Sequence, residues 1–256
     1  NIFDILSSLE KIGQVTDLEL ESDTAGSSLQ HIFSRALEIE VVNLSFAYPG
    51  RGKSVLQNIN YTFSPGKSYC IIGNNGAGKS TLIHLIAGLY QTQTGTVCIN
   101  GLPIGNYNIF ELYKFIGNGL AEETIFEGTL MENITLGRDY ISTEDVQWAI
   151  EKVFLTEYIK DLPKGLDSEI EISGHKLSKS TIQKIIIARS IVNRPKLILL
   201  ENHIDFIEEK ESKKIIEFLT DTSNGWTLIS ISNHNYVKEK SDVVIYMSEG
   251  QIKINY

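Results

Sequence analysis

Cysteine, basic charge and long apolar runs are what this chain has little of. Its two cysteines, Cys70 and Cys98, both sit in apolar strand-like runs and read as reduced core residues, which fits a cytosolic setting. No run of about 18 or more apolar residues occurs, so no segment of the sequence is long and apolar enough to span a bilayer. Lys and Arg number 23 against 32 Asp and Glu, and the net charge of −9 speaks against a nucleic-acid-binding face. No secretory signal pattern is expected at the start, where Asn1 to Glu10 already carries Asp4 and Glu10. No grouping of His, Cys, Asp and Glu has metal-ligand spacing. What is present is a 256-residue chain, 42% hydrophobic, able to bury a full core in about one or two domains.

The stretch from Ser68 to Tyr90 is the most informative. A short apolar run (Tyr69, Cys70, Ile71, Ile72) leads into Gly73-Asn74-Asn75-Gly76-Ala77-Gly78-Lys79-Ser80-Thr81. Leu82, Leu85, Ile86 and Leu89 follow at helical spacing and predict one apolar face. This is G-x-x-x-x-G-K-[S/T] between a strand and a helix, the context in which the motif binds phosphate. Its glycines let backbone N–H groups curl around phosphate oxygens that side chains would otherwise block. Asn75, Gly76, Ala77, Gly78, Lys79, Ser80 and Thr81 are therefore the candidate nucleotide-binding residues. Lys79 would place its cation near the β- and γ-phosphates, and Ser80 would offer its hydroxyl to Mg²⁺. The positive end of the new helix dipole adds to the same anion site.

Along the rest of the chain, Ile2, Phe3, Ile5, Leu6, Leu9 and Ile12 fall at helical spacing, and Glu19 to Ser34 reads as an acidic, then Ser/Gly-rich linker. Such a helix either belongs to a preceding segment or docks back on the same domain. Leu37 to Tyr48 predicts a strand with one bulge or phase slip, and Ile59 to Phe63 a second strand ending at the Pro65-Gly66 turn. Thr96 to Ile99 followed by Asn100-Gly101 is a hairpin signature. Between Gly105 and Ser180 strand signals weaken, and Glu144 to Phe154 reads as an amphipathic helix capped by Ser142 or Thr143. Alternation returns with a helix over Ile182 to Val192, a buried strand over Leu197 to Leu200, a helix over Glu208 to Leu219, and strands at Thr227 to Ser232 and Val243 to Met247. Glu249-Gly250 turns into a last short strand, Gln251 to Ile254.

Together these landmarks resemble the ATP-binding cassette of ABC exporters, over roughly Leu37 to the C-terminus. Phe46-Ala47-Tyr48-Pro49 looks like the aromatic loop, with Tyr48 as the ring that stacks on adenine. Glu127 to Ile134 resembles the segment after the glutamine loop, and Leu177-Ser178 opens what looks like the signature motif. Leu197 to Leu200 resembles the Walker B strand. The resemblance implies an α/β fold: a P-loop NTPase core with a parallel sheet, an N-terminal antiparallel β subdomain and an inserted helical subdomain at about 105–180. Residues 1–36 would be a tail and linker from a preceding transmembrane domain, and 37–256 the cassette. ATP and Mg²⁺ are the implied cofactors, with Ser80 and Glu201 toward the metal. The implied partners are the transporter's transmembrane domain and a second cassette, identical or different, with no nucleic acid. The implied location is the cytoplasmic face of a membrane.

The departures from the family's pattern carry as much information as the matches. The glutamine of the glutamine loop falls at Ala121, and the signature reads Leu177-Ser178-Lys179-Ser180-Thr181 instead of Leu-Ser-Gly-Gly-Gln. The Walker B acid, usually Asp, is Glu201, and the following general base is Asn202, whose amide cannot take a proton. The D-loop Asp falls at Glu208, and the switch histidine at Asn233, with His234 one place later. Glu201, Asn202 and His234 are thus the catalytic candidates. The groups that hold nucleotide survive while those that hydrolyse it are altered. That pattern leads to the expectation of an ATP-binding, weakly hydrolysing half of a cassette dimer; an active ATPase motor, with Glu201 or His234 covering the losses, is the alternative, and a soluble cassette protein acting on nucleic acid or ribosomes ranks below both.

Overall fold

The computed structural model describes residues 33–50, 52, 54–120, 125–170 and 177–253. The expected leader helix, most of the linker, Ala121 and the last residues of the chain lie outside these ranges. In chain order the first elements are β1 (Ile39–Phe46), β2 (Leu56–Phe63), β3 (Ser68–Gly73), α1 (Lys79–Ile86), β4 (Thr94–Ile99) and β5 (Leu102–Pro103). Next come α2 (Ile109–Tyr113), β6 (Ile116–Gly119), β7 (Gly128–Thr129), α3 (Leu130–Thr135), α4 (Thr143–Lys152), α5 (Thr156–Lys160) and β8 (Glu169–Ile170). The last are α6 (Lys179–Ile191), β9 (Leu197–Glu201), α7 (Glu209–Thr220), β10 (Thr227–Ile231), α8 (Asn235–Lys240), β11 (Val243–Ser248) and β12 (Gln251–Lys253).

The N-terminal sheet is antiparallel, ordered β2-β1-β4-β5. The phase slip expected in β1 is real: its register against β2 shifts between Val41 and Leu44, where Asn43 takes φ 48°. Asn100 and Gly101 both have positive φ and close the β4–β5 hairpin with Ile99 opposite Leu102. The second sheet runs β12-β11-β3-β10-β9-β6 and is parallel except for β12. Every residue of β9 and β10 is buried, as central parallel strands covered on both faces require. Fully burying each of Leu197, Ile198 and Leu199 contributes about 1.5–3 kcal/mol.

Helices dominate from α2 to α6. Thr129 and Glu132 form a capping box at α3: the Glu132 N–H donates to Thr129 Oγ1 at 3.1 Å and the Thr129 N–H donates to Glu132 Oε2 at 2.7 Å. The Thr129 N–H and, at 3.0 Å, the Thr129 hydroxyl both donate to Glu132 Oε2 and hold its carboxyl below the usual range. The apolar faces of α3 and α4 meet α6 in one core with Leu130, Ile134, Val146, Ala149 and Ile185.

Three local expectations change. The helix after the phosphate loop ends at Ile86, and Leu89, expected on its buried face, is 49% exposed beyond Gly88, which turns the chain at φ 75°. Instead of one apolar stripe, α1 buries every residue from Thr81 to Ile86 and packs against β3 and β10. The strand β6, Ile-Gly-Asn-Gly, adds to the parallel sheet inside a region with weak strand signals. Its low strand propensity has a steric cause: a Cβ on Gly117 would lie 1.8 Å from the Ser190 carbonyl oxygen of α6. Finally, the compact core reaches into the expected linker, because Phe33 is buried with its ring 5.0 Å from Phe115 and 5.5 Å from Tyr107.

Candidate functional site

The loop between β3 and α1 lies close under its neighbours, and its glycines are the price of that approach. At Gly78, φ is 94° and a Cβ would fall 2.6 Å from Leu56 Cδ2 and 3.1 Å from the Val55 carbonyl oxygen. At Gly73, a Cβ would meet the Met247 carbonyl oxygen at 2.1 Å. Lys79 folds back over the loop, its Nζ donating to the carbonyl oxygens of Gly73 at 2.8 Å and Asn74 at 3.0 Å. The ammonium is thereby held at the mouth of the loop by two weak acceptors, which an anion outbids on charge.

A cleft of about 480 Å³ opens beside the loop. Tyr48 and Val55 wall one side, Asn75, Gly76, Gly78, Lys79, Ser80 and Thr81 form the floor, and Glu201, Asn202, Ile231 and Asn233 close the far side. Ala77 is not in this lining; it is buried and faces a neighbouring hollow with Asn74 and Gly250. Its N–H donates to the Asn74 carbonyl, and its carbonyl accepts from the Gly250 N–H, so it fixes the loop from behind. The Tyr48 hydroxyl lies 3.0 Å from Thr81 Oγ1. Phe46 and Tyr90 meet the Tyr48 ring edge-on, at 5.2 Å and 5.6 Å between centroids.

The polar centre of the cleft is formed by α1 and the end of β9. Ser80 Oγ donates to Glu201 Oε1 at 2.6 Å. Glu201 is only 5% exposed, and its Oε2 has no hydrogen-bond partner among the described residues. A hydroxyl and a carboxylate are the hard oxygen donors that Mg²⁺ takes, and Ser80 Oγ and Glu201 Oε1 present both at one point of the cleft lining. The residues fit the ion.

The other candidates separate. Asn202 leaves β9 at φ 55°, a conformation that Asn tolerates better than most residues. Its N–H donates to the Ile231 carbonyl at 3.0 Å. Asn233 lies in the cleft wall, whereas His234 does not line the cleft and caps α8, its Nδ1 accepting from the Tyr236 N–H at 3.2 Å. His203 is buried and its Nε2 pairs with the Leu120 carbonyl at 2.9 Å, tying the end of β9 to the segment after β6. At the start of α6, Ser178 Oγ accepts from the Thr181 N–H at 3.0 Å, and Lys179 Nζ sits 4.4 Å over the exposed Phe206 ring.

A family model described as ABC transporter matches residues 56–204. The chain belongs to the ABC transporter family. It is 30% identical over 245 residues to the ATP-dependent lipid A-core flippase of Pseudomonas fluorescens (strain Pf0-1), covering 95% of this chain and 40% of that protein. It is 32% identical over 231 residues to the leptomycin B resistance protein pmd1 of Schizosaccharomyces pombe, covering 90% of this chain and 17% of that protein. A solved bacterial Atm1-family ABC exporter with ATP bound superposes with a TM-score of 0.85 at 25% identity, over 97% of this chain and 43% of that one. The chain therefore spans less than half the length of these ABC relatives, and over that length it is homologous to the nucleotide-binding domains of ABC exporters. No helix among the described residues is long and apolar enough to cross a membrane.

Within this ABC domain, sequence reasoning missed three side chains. Gln183 is buried on α6, its Nε2 donating to the Asn202 carbonyl at 3.3 Å and its Oε1 accepting from the Phe206 N–H at 2.9 Å. His84 is buried on α1 beside Glu201, and Phe206 is the ring under Lys179. The signal for His84 was there: a polar residue inside the otherwise apolar Leu82–Ile86 run has to meet a polar partner.

Proposed function

We propose that this ABC domain binds MgATP in the cleft between Tyr48 and Glu201 and hydrolyses it slowly, as the regulatory or structural half of an exporter's cassette dimer. One observation carries the reading. Among the described residues that line the cleft, Glu201 is the sole carboxylate, and Ser80 already holds it; the position beside it is the amide of Asn202. The loop backbone, Lys79, Ser80 and Thr81 would bind the phosphates, Tyr48 would stack on the base after releasing Thr81, and Ser80 with Glu201 would hold Mg²⁺. When bound, Mg²⁺ neutralises charge on the phosphates. Asn202 can orient a water by accepting a hydrogen bond but cannot deprotonate it, and a missing general base costs about 10²–10⁴-fold in rate.

On this reading residues 1–36 join the cassette to a transmembrane domain at the cytoplasmic face of a membrane, 37–256 are the cassette, and the second cassette supplies the other half of each site. The competing reading is an active motor, favoured by Glu201 being the sole carboxylate among the described residues that line the cleft, so that it takes the proton of the attacking water. Titration of ATP with Mg²⁺ and steady-state turnover of the chain separate the two. Binding that Lys79→Ala abolishes, with turnover far below about one per second, supports the slow cassette. Turnover near one per second that Glu201→Gln removes supports the motor.

A further inference from the structure

We propose that His84 is the positioning residue of Glu201, holding its second carboxylate oxygen so that the first stays on Ser80. The inference rests on the reading of the cleft as a MgATP site. Ser80 and His84 are four residues apart on α1 and so lie one above the other on the same helix face, both turned toward the end of β9. Ser80 takes Glu201 Oε1 at 2.6 Å, while His84 Nε2 lies 4.0 Å from Oε2. The two side chains are 7% and 6% exposed, and neither Nε2 nor Oε2 has a hydrogen-bond partner among the described residues. Two buried polar atoms without partners are costly, and here each is the other's remedy. Closing the gap by about 1 Å gives an ordinary N–H···O bond in which Nε2 donates to Oε2. The ring of Tyr90, with its centroid 5.9 Å from that of His84, backs the imidazole.

The pairing also accounts for glutamate at a position where the family's pattern has aspartate. An aspartate carboxylate, one methylene shorter, would sit about 1.5 Å further back along the side chain and would leave His84 beyond reach. With Glu201, the two oxygens divide between two side chains of one helix turn, and the carboxylate plane is set before any metal arrives. Outer partners of this kind act on metal affinity through the ligand they orient.

The test is a double-mutant cycle read as ATP affinity of the full chain by calorimetric titration, with excess Mg²⁺ and with EDTA. The expected result is that His84→Leu weakens binding about tenfold with Mg²⁺ and leaves binding in EDTA unchanged. His84→Gln, which returns an N–H donor, restores most of the loss. In the Glu201→Asp background the same His84→Leu change has little effect, because the shorter side chain never reached His84. Thermal unfolding without nucleotide checks that each variant is folded. Equal losses in both backgrounds, or equal losses with Mg²⁺ and EDTA, overturn the positioning role while leaving the MgATP reading standing. Absence of Mg²⁺-dependent binding in the unaltered chain overturns both.

Discussion

Ser80 and Glu201 are joined by a 2.6 Å hydrogen bond between elements 121 residues apart in sequence. That bond connects the first turn of α1 to the last residue of β9 and brings the loop that would hold phosphate against the carboxylate that would hold its metal. It also leaves Lys79, the neighbouring residue, free to turn the other way, onto the loop carbonyls.

Lys79→Ala is expected to weaken ATP binding at least tenfold, because the loop loses its only side-chain cation. The fold should change little, since the lysine's contacts are with the carbonyls of Gly73 and Asn74 at the cleft surface. Fluorescence titration with a labelled ATP analogue, beside a thermal melt, checks both halves of the statement.

Asn202→Glu should raise turnover and lower stability together. The carboxylate supplies the base that the amide cannot, so turnover is expected to rise by at least about tenfold, toward the lower part of the range for general-base catalysis. The backbone there has φ 55°, which glutamate tolerates less well than asparagine, at a cost of about 1 kcal/mol. Phosphate release assays and urea unfolding of the same preparation measure the two effects.

Stability should fall in alkali through Cys70. Burial pushes its thiol from 9.0 up to about 11 in the folded chain, so between those values the unfolded chain has lost the proton that the folded chain retains. The contribution is intact below about pH 9 and is lost as the pH rises toward about 11, at no more than about 1.4 kcal/mol per pH unit. Urea unfolding across this range, compared between the unaltered chain and Cys70→Ala, should show a shallower fall in the variant.

Ser178→Ala removes the cap of α6 and is expected to cost about 1 kcal/mol. Chemical denaturation measures it. Because Thr181 shares that cap through a 2.8 Å hydroxyl contact, Thr181→Ala should cost less than Ser178→Ala.

The parts of the fold legible in the sequence are those whose cause is local. The phosphate loop was readable because its spacing is a chain property, the β4–β5 hairpin because Asn100-Gly101 fits only a few turns, and the slip in β1 because the apolar alternation itself breaks at Val41-Val42. What stayed hidden depends on partners distant in the chain. β6 looks unlike a strand because α6 crosses it so closely that Gly117 can carry no side chain. His84 reads as a blemish in an apolar run until β9 brings Glu201 beside it. That Asn233 lines the cleft while His234 caps α8 was likewise hidden, because it depends on how the chain turns after β10.

Gln183 gives the domain a mechanical property. One buried amide grips the carbonyl of Asn202 on one side and the N–H of Phe206 on the other, so the loop after β9 is clamped at both ends to a single helix. A substitution at Gln183 therefore releases both ends of that loop at once, on the Asn202 side and on the Phe206 side.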